Sequence, residues 1–292
     1  MDMQAGSFWT RRRMTFDEYE LRKMSEARAA DIAPLATERD QAGEQFAVIG
    51  NAWSRAMFDG LFYVSPTAPA NLPSTNLVFV QSRDGNTVTA DPSSLGGGEA
   101  DKHLIYEGLS RVAADAVLAG ARTIPGGHAV LSIWRPELVA LRAAMALPRH
   151  PIQVVATLGG IPLDAGRMFN VPALRVIIIT VSGGADAMRD ALKTRPWITL
   201  VVMDDPSGLR GAFHELRHLG IERLSCIGGR TLAGQLLDEG LVQDVYLTTG
   251  TKEGGEPGTP FYDKPLQGRE VVRKRGTGPD AGVVFEHVAL SS

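Results

Sequence analysis

The sequence predicts an α/β protein built on a mixed, mostly parallel sheet with helices on both faces, a three-layer αβα arrangement. Three observations carry that prediction. From Asn76 onward, short continuous apolar runs such as Val-Ile-Ile-Ile at 176–179 alternate with amphipathic stretches, the pattern of strands buried on both sides by crossover helices. Several of these runs end in Gly, Ser or Thr just before a helical stretch. Near the end of the chain, two β-like stretches at 270–274 and 283–290 follow one another across a Gly-rich turn, which places an antiparallel hairpin at one edge of the sheet.

Taken in order, residues 16–30 have helix-forming composition, with Thr15 as N-cap and Glu18 placed to close a capping box. Residues 46–63 carry apolar side chains at mixed spacing and read as a second helix with an irregular end. The stretch Ser-Pro-Thr-Ala-Pro-Ala-Asn-Leu-Pro-Ser at 65–74 is punctuated by prolines and reads as a linker or strap. This divides the chain into a helical arm and linker at 1–74 and a main domain at 75–292. Strands are then expected at 77–81, 116–118, 153–157, 175–180, 199–202, 224–227 and 244–249. The intervening helices are expected at 100–111, 136–145, 185–194, 208–218 and 231–239.

Bulk properties narrow the function. The 292 residues carry a formal charge of −3, with 44% hydrophobic and 22% charged residues, an ordinary globular composition. The basic block at Arg11-Arg12-Arg13 is too small to support nucleic-acid binding. No apolar run has the roughly 18–20 residues of a membrane span, so the expected address is the cytoplasm. A single cysteine, Cys226, excludes an intramolecular disulfide and cannot build a cysteine-rich zinc site. The six histidines are scattered, and His214 and His218, four apart on an expected helix, read as solvated surface. No metal is expected.

Three strand exits have the residues to hold an anionic ligand. At 224–237 (LSCIGGRTLAGQLL) a strand runs into Gly228-Gly229 and then a helix. Glycine lets backbone approach a ligand closely, and free N–H groups at a helix start attract anions. Thr231 can cap that helix and reach a phosphate oxygen. The pair reads equally well as a tight strand-to-helix turn. At 115–124 (DAVLAGARTI) a strand ends in Gly120. Arg122 then suits a ribose 2′-phosphate and Thr123 a pyrophosphate. At 179–186 (ITVSGGAD) the exit offers Thr180 and Ser182. Ligands gather beyond the carboxyl ends of strands in such sheets, and together the three exits favour one extended dinucleotide, although no GxGxxG fingerprint is present. A fourth segment, 76–89, ends its strand at Asp84-Gly85, which by spacing alone is a hairpin-type turn.

These segments, in this order, resemble the reductase domain of bacterial riboflavin-biosynthesis enzymes, a family that shares its fold with dihydrofolate reductase. Its Ser-Leu-Asp-Gly element is matched by Ser82-Arg83-Asp84-Gly85. Its Arg, Asp-Ala and Gly-Ala-Gly-Thr exit are matched by Arg111, Asp115-Ala116 and Ala119-Gly120-Ala121-Arg122-Thr123. Its Glu-Gly-Gly turn and Gly-Leu-Val-Asp-Glu helix end are matched by Ile227-Gly228-Gly229-Arg230-Thr231-Leu232 and Gly240-Leu241-Val242-Gln243-Asp244. The likeness runs from about residue 76 to 290.

The resemblance implies a dihydrofolate-reductase-like fold, NADPH as cofactor, a homodimer, and a ribosylamino-pyrimidine as the small-molecule substrate. It places the pyrophosphate on Thr123 and on Gly228, Gly229, Arg230, Thr231 and Leu232, near Gly120 and Arg122. The adenosine end lies near Thr180 and Ser182, and the nicotinamide near Val80, Gln81 and Ser82. Asp84 becomes the proton source or relay, and Arg111, Ser82 and Ile227 substrate contacts. Trp134 reads either as a ring stacked on the pyrimidine or as core. Two departures bear on the substrate: Ile227 stands where the family has a carboxylate, and Pro125-Gly126-Gly127-His128 replaces its Asp-Asp-Pro. A site that has lost such polar contacts changes its discrimination. Dihydrofolate or pterin reduction, and a silent NADP-binding module, are the competing readings. Nothing in residues 1–75 resembles the zinc deaminase half that commonly precedes this domain.

Overall fold

The computed structural model describes residues 14–66, 71–124 and 129–291. The arginine block at 11–13, part of the proline-rich stretch and the Pro125–His128 replacement lie outside them. Twelve strands are assigned among these residues: β1 (Leu35–Asp40), β2 (Ala47–Ile49), β3 (Phe62–Val64), β4 (Ser74–Gln81), β5 (Ala116–Gly120), β6 (Ile152–Ala156), β7 (Val176–Val181), β8 (Ile198–Met203), β9 (Arg223–Cys226), β10 (Asp244–Thr249), β11 (Gly268–Gly276) and β12 (Val284–Leu290). Ten form one sheet in the order β1-β11-β12-β10-β4-β9-β5-β6-β7-β8. From β10 to β8 every neighbouring pair is parallel, whereas β12 and β11 continue antiparallel. The expected fold class is the one observed.

Alternation along each strand divides the core into two layers. On one face Val78, Val117, Ala119, Val155, Ile178 and Tyr246 pack beneath α1 (Phe16–Ala29), α2 (Ala52–Phe58) and α4 (Pro136–Ala144). On the other, Leu77, Leu118, Ile179 and Val245 pack beneath α6 (Leu209–His218) and α7 (Arg230–Asp238). The remaining helices are α3 (Gly98–Ala100) and α5 (Ser182–Leu192). The helix expected at 100–111 is a π-helix over Asp101–Leu109 that continues α3.

Residues 14–66 are less like an arm than their composition suggests. The capping box at Thr15 and Glu18 forms as expected. The helix expected at 46–63, however, breaks into β2, α2 and β3: Asn51 caps α2, and Asp59 ends it in the left-handed conformation at φ 54°. Leu35–Asp40 is a strand that pairs with β11, so the antiparallel C-terminal pair sits inside the sheet and β1 forms the edge. Phe58, Phe62 and Val64 belong to the same buried cluster as Val78 and Leu104. The buried Lys274 ammonium on β11 donates to Thr37 Oγ1 at 2.7 Å and to the Asp59 carbonyl at 3.0 Å, fastening β1 and the end of α2 to the sheet.

Candidate functional site

Parallel pairing brings the carboxyl ends of β10, β4, β9, β5, β6 and β7 to one edge. The register pairs Thr249 with Gln81, Leu77 with Cys226, Cys226 with Leu118, Gly120 with Ala156, and Ala156 with Ile179. From β4 to β7 there are four strand spacings, about 19 Å at ~4.8 Å each. Two of the three Gly-rich exits meet directly. The Gly120 amide donates to the Gly228 carbonyl at 2.9 Å, and a β-carbon on Gly229 would stand 2.9 Å from Thr123 Oγ1. Gly228 has φ 101°, a backbone conformation that favours glycine, and a β-carbon there would meet Phe79 at 3.2 Å. Side chains at either position would fill the corner.

Helix α7 leaves this corner with Gly229 as its N-cap and no side chain capping it. Its first amides are therefore available to an acceptor from outside. Thr231 lies one turn position inside the helix, exposed, which corrects its expected role as the cap. Arg230 is committed elsewhere: Nε donates to the Pro260 carbonyl and Nη2 pairs with Asp263 at 2.8 Å, holding the 260–263 loop against the helix. Leu232 is on the buried face of α7, packed into the core. Arg122 is exposed on the short 3₁₀ turn after β5, one residue before Thr123. Two strands away, α5 starts at Ser182, again without a side-chain cap. Thr180 is buried, and Gly184 is pressed so closely against it that a β-carbon would come within 2.1 Å of its Oγ1. The same missing β-carbon lets Gly184 sit against Leu158 and Gly160 at the exit of β6.

At the β4–β10 end, Gln81 Nε2 donates to Thr249 Oγ1 at 2.9 Å. Ser82 is fully enclosed, and its hydroxyl exchanges hydrogen bonds with the backbone of Asn86. The Asp84–Gly85 turn forms, with Gly85 at φ 85°, but no second strand follows. Instead Thr87 bonds the Thr259 carbonyl. Asp84 is exposed and accepts from Asn86 Nδ2 at 2.8 Å and from the Gly254 amide at 3.2 Å. Hydrogen bonding, led by the Ser82 hydroxyl, holds its carboxyl below the usual range. This favours the anion, the opposite of what the expected proton source needs.

Like Ser82, the three other expected substrate contacts are enclosed. Arg111 lies at the amino end of β5, on the opposite edge of the sheet from Gly120, where it donates to the Ser132 carbonyl at 3.0 Å and stacks on Tyr106. Trp134 is packed edge-on against Tyr19 at 5.6 Å, so core is the reading the structure supports. Ile227 is buried, its amide bonded to the Leu118 carbonyl.

A residue that sequence reasoning passed over lies at the same edge. Asp280 docks on α3, accepting from the Ala100 amide at 3.1 Å, and Gly98, at φ 75°, has room for it only because it lacks a β-carbon. The next residue, Asp101, then lies against Gly97 and Val80: a β-carbon on Gly97 would stand 3.1 Å from Asp101 Oδ2 and 3.0 Å from Val80 Cγ2. Its Oδ1 is enclosed with no hydrogen-bond partner. Burial, reinforced by the negative Asp280, pushes this carboxyl up to about 6 despite the neighbouring Thr248 hydroxyl. In the sequence it is an ordinary acid in a helix's first turn, because the groups that enclose it are far away along the chain.

No helix among the described residues is long and apolar enough to cross a membrane, and no cluster of three metal-ligating side chains occurs among them. A family model described as the RibD C-terminal domain matches residues 73–277. No curated protein matches the sequence. Among solved structures, a pyrimidine reductase-like protein from Corynebacterium diphtheriae is 20% identical with a TM-score of 0.61, over 76% of this chain and 93% of that one. RibD of Acinetobacter baumannii is 17% identical with a TM-score of 0.55, over 76% of this chain and 58% of that one. The riboflavin biosynthesis reductase of Saccharomyces cerevisiae is 16% identical with a TM-score of 0.51, over 77% and 93%. At these identities the likeness is one of fold.

Proposed function

The chain belongs to the RibD C-terminal domain family, and from that premise we propose that it is an NADPH-dependent reductase of a small pyrimidine, with 5-amino-6-(5-phosphoribosylamino)uracil as the favoured substrate. One observation carries the cofactor assignment: Gly120, Thr123, Gly228 and Gly229 converge on the uncapped start of α7. That corner offers backbone amides and a hydroxyl to a pyrophosphate, with no β-carbon in the way. Exposed Arg122 is beside it and supplies the fork for a 2′-phosphate, which favours NADPH over NADH. The uncapped α5 start at Ser182 lies along the same edge, on the adenosine side, and Val80 and Gln81 lie towards the opposite end.

NADPH, when bound, supplies a hydride, and the chemistry is the cofactor's own. The protein's part is to fix the dinucleotide along the carboxyl edge, to hold the pyrimidine over the β4–β10 end, and to keep water away from the reacting atoms. We further propose that the protein acts in the cytoplasm as a homodimer, with residues 14–66 completing the reductase domain by covering one face and one edge of its sheet.

The test is direct titration of the purified protein with NADPH and NADH by fluorescence, followed by turnover with the ribosylamino-pyrimidine and with dihydrofolate. Tight NADPH binding and pyrimidine turnover support the proposal. Preferential dihydrofolate turnover would replace the substrate, and NADPH binding without turnover would identify a silent module.

A further inference from the structure

Among the described residues, several enclosed carboxyls are held by hydrogen bonds. Glu107 Oε2 accepts from the Trp134 amide and lies against His103. Asp244 is bonded by Ser65 and His287. Asp115 receives the amides of Glu222 and Arg223. Asp101 differs, since its Oδ1 is enclosed without a donor. The nearby Thr248 Oγ1 is likewise enclosed without a partner. Leaving a buried carboxylate oxygen undonated is costly, whereas a protonated carboxyl carries its own donor.

The position matters as much as the state. Asp101 touches Gly97 beside Val80, and Val80 pairs in register with Thr248. This is the β4–β10 end of the carboxyl edge, where the proposed function puts the reacting end of the cofactor. The groups facing Asp101 are Thr248 from β10, Val80 from β4, the Gly97 backbone, and Asp280 from the turn before β12. None is a cation that would hold it ionised. Glu99 and Lys102, its neighbours along the helix, pair with each other at 3.3 Å.

We propose that Asp101 is the acid that protonates the substrate as it is reduced. The inference rests on the reductase reading above. As the hydride forms a C–H bond at the imine carbon of the opened sugar, the C=N π pair moves onto nitrogen. That nitrogen takes the proton from the Asp101 carboxyl, whose O–H bond breaks, and the resulting carboxylate is reprotonated from water. A titration near 6 suits this cycle: the acid is loaded in an appreciable fraction of molecules near neutral pH and still releases its proton readily.

The first test needs neither substrate nor cofactor. In protein labelled with ¹³C at aspartate carboxyls, with residue 101 assigned by the signal lost in Asp101→Asn, the Asp101 resonance should titrate with a midpoint near 6. A midpoint at or below the ordinary aspartate value would overturn the proposal. The second follows turnover of the ribosylamino-pyrimidine against pH. Asp101→Asn should bind NADPH within about twofold of the wild type yet lose about 100-fold or more in kcat, the usual weight of a positioned acid. Its alkaline limb should vanish, and Asp101→Glu should restore part of the rate. Wild-type kcat and pH profile in Asp101→Asn would overturn this proposal alone. Failure of the wild type to bind NADPH would overturn the reductase reading, and this inference with it.

Discussion

The hydroxyl of Thr123 occupies the space that a side chain on Gly229 would enter, with Oγ1 2.9 Å from the absent β-carbon. Gly229 itself has φ −75° and ψ 174°, angles any residue adopts. Asp is a favoured N-cap and its charge suits a helix start. Gly229→Asp should therefore leave stability within about 1 kcal/mol of the wild type, since Thr123 can rotate away. It should nonetheless lower NADPH affinity by well over tenfold, because its carboxylate takes the anion's place. Fluorescence titration beside thermal melting checks both halves, and unchanged affinity would remove the pyrophosphate assignment.

Arg122 separates the two nicotinamide cofactors. It is exposed, on the turn that presents Thr123, and truncating it removes no packing. An arginine–phosphate contact at such a site is worth roughly 1.5–3 kcal/mol. Arg122→Ala should therefore weaken NADPH binding by about tenfold or more and leave NADH binding unchanged. Equal losses for both cofactors would place the arginine on the part they share.

How far the sequence could be read follows from how local each determinant is. The strand at 176–181 and the helix at 209–218 carry their own periodicity, and both appear within a residue or two of where that periodicity puts them. Gly228-Gly229 and Thr123 were legible as motifs, each set by its own strand exit. What stayed hidden depends on distant partners. Leu35–Asp40 is strongly polar and exposed on most positions, and it is a strand only because β11 offers it an edge. Asp101 is tuned by Thr248 and Asp280, each more than 140 positions away. Arg111 matched a motif, yet the motif does not say that β5 carries its two ends to opposite sides of the sheet.

The N-terminal segment should be indispensable to the fold. Phe62 is fully buried, stands edge-on to Phe58 at 5.0 Å, and lies so close to Gly108 that a β-carbon there would meet its ring at 3.1 Å. Removing such a side chain costs the lost burial and the cavity left behind. Phe62→Ala should destabilise the protein by about 3–5 kcal/mol, read as a shift in the urea midpoint at constant slope. A detached arm would give a shift near zero.

Stability should also report the state of Asp101, independently of any ligand. Its pKa is raised in the folded protein to about 6, above the roughly 3.9 of an unfolded aspartate. The folded state therefore holds the proton more tightly. The resulting stabilisation is complete below about pH 4 and is lost as the pH rises through 6. Asparagine at 101 does not titrate, so the difference between Asp101→Asn and wild type should move in favour of the variant across that window. Two pKa units correspond to roughly 3 kcal/mol at most. Urea denaturation of both proteins at pH 4, 5, 6 and 7 measures the difference directly. A difference that stays flat over this range would mean that the carboxyl is ionised throughout, and that the sheet edge holds a solvated anion in place of a proton donor.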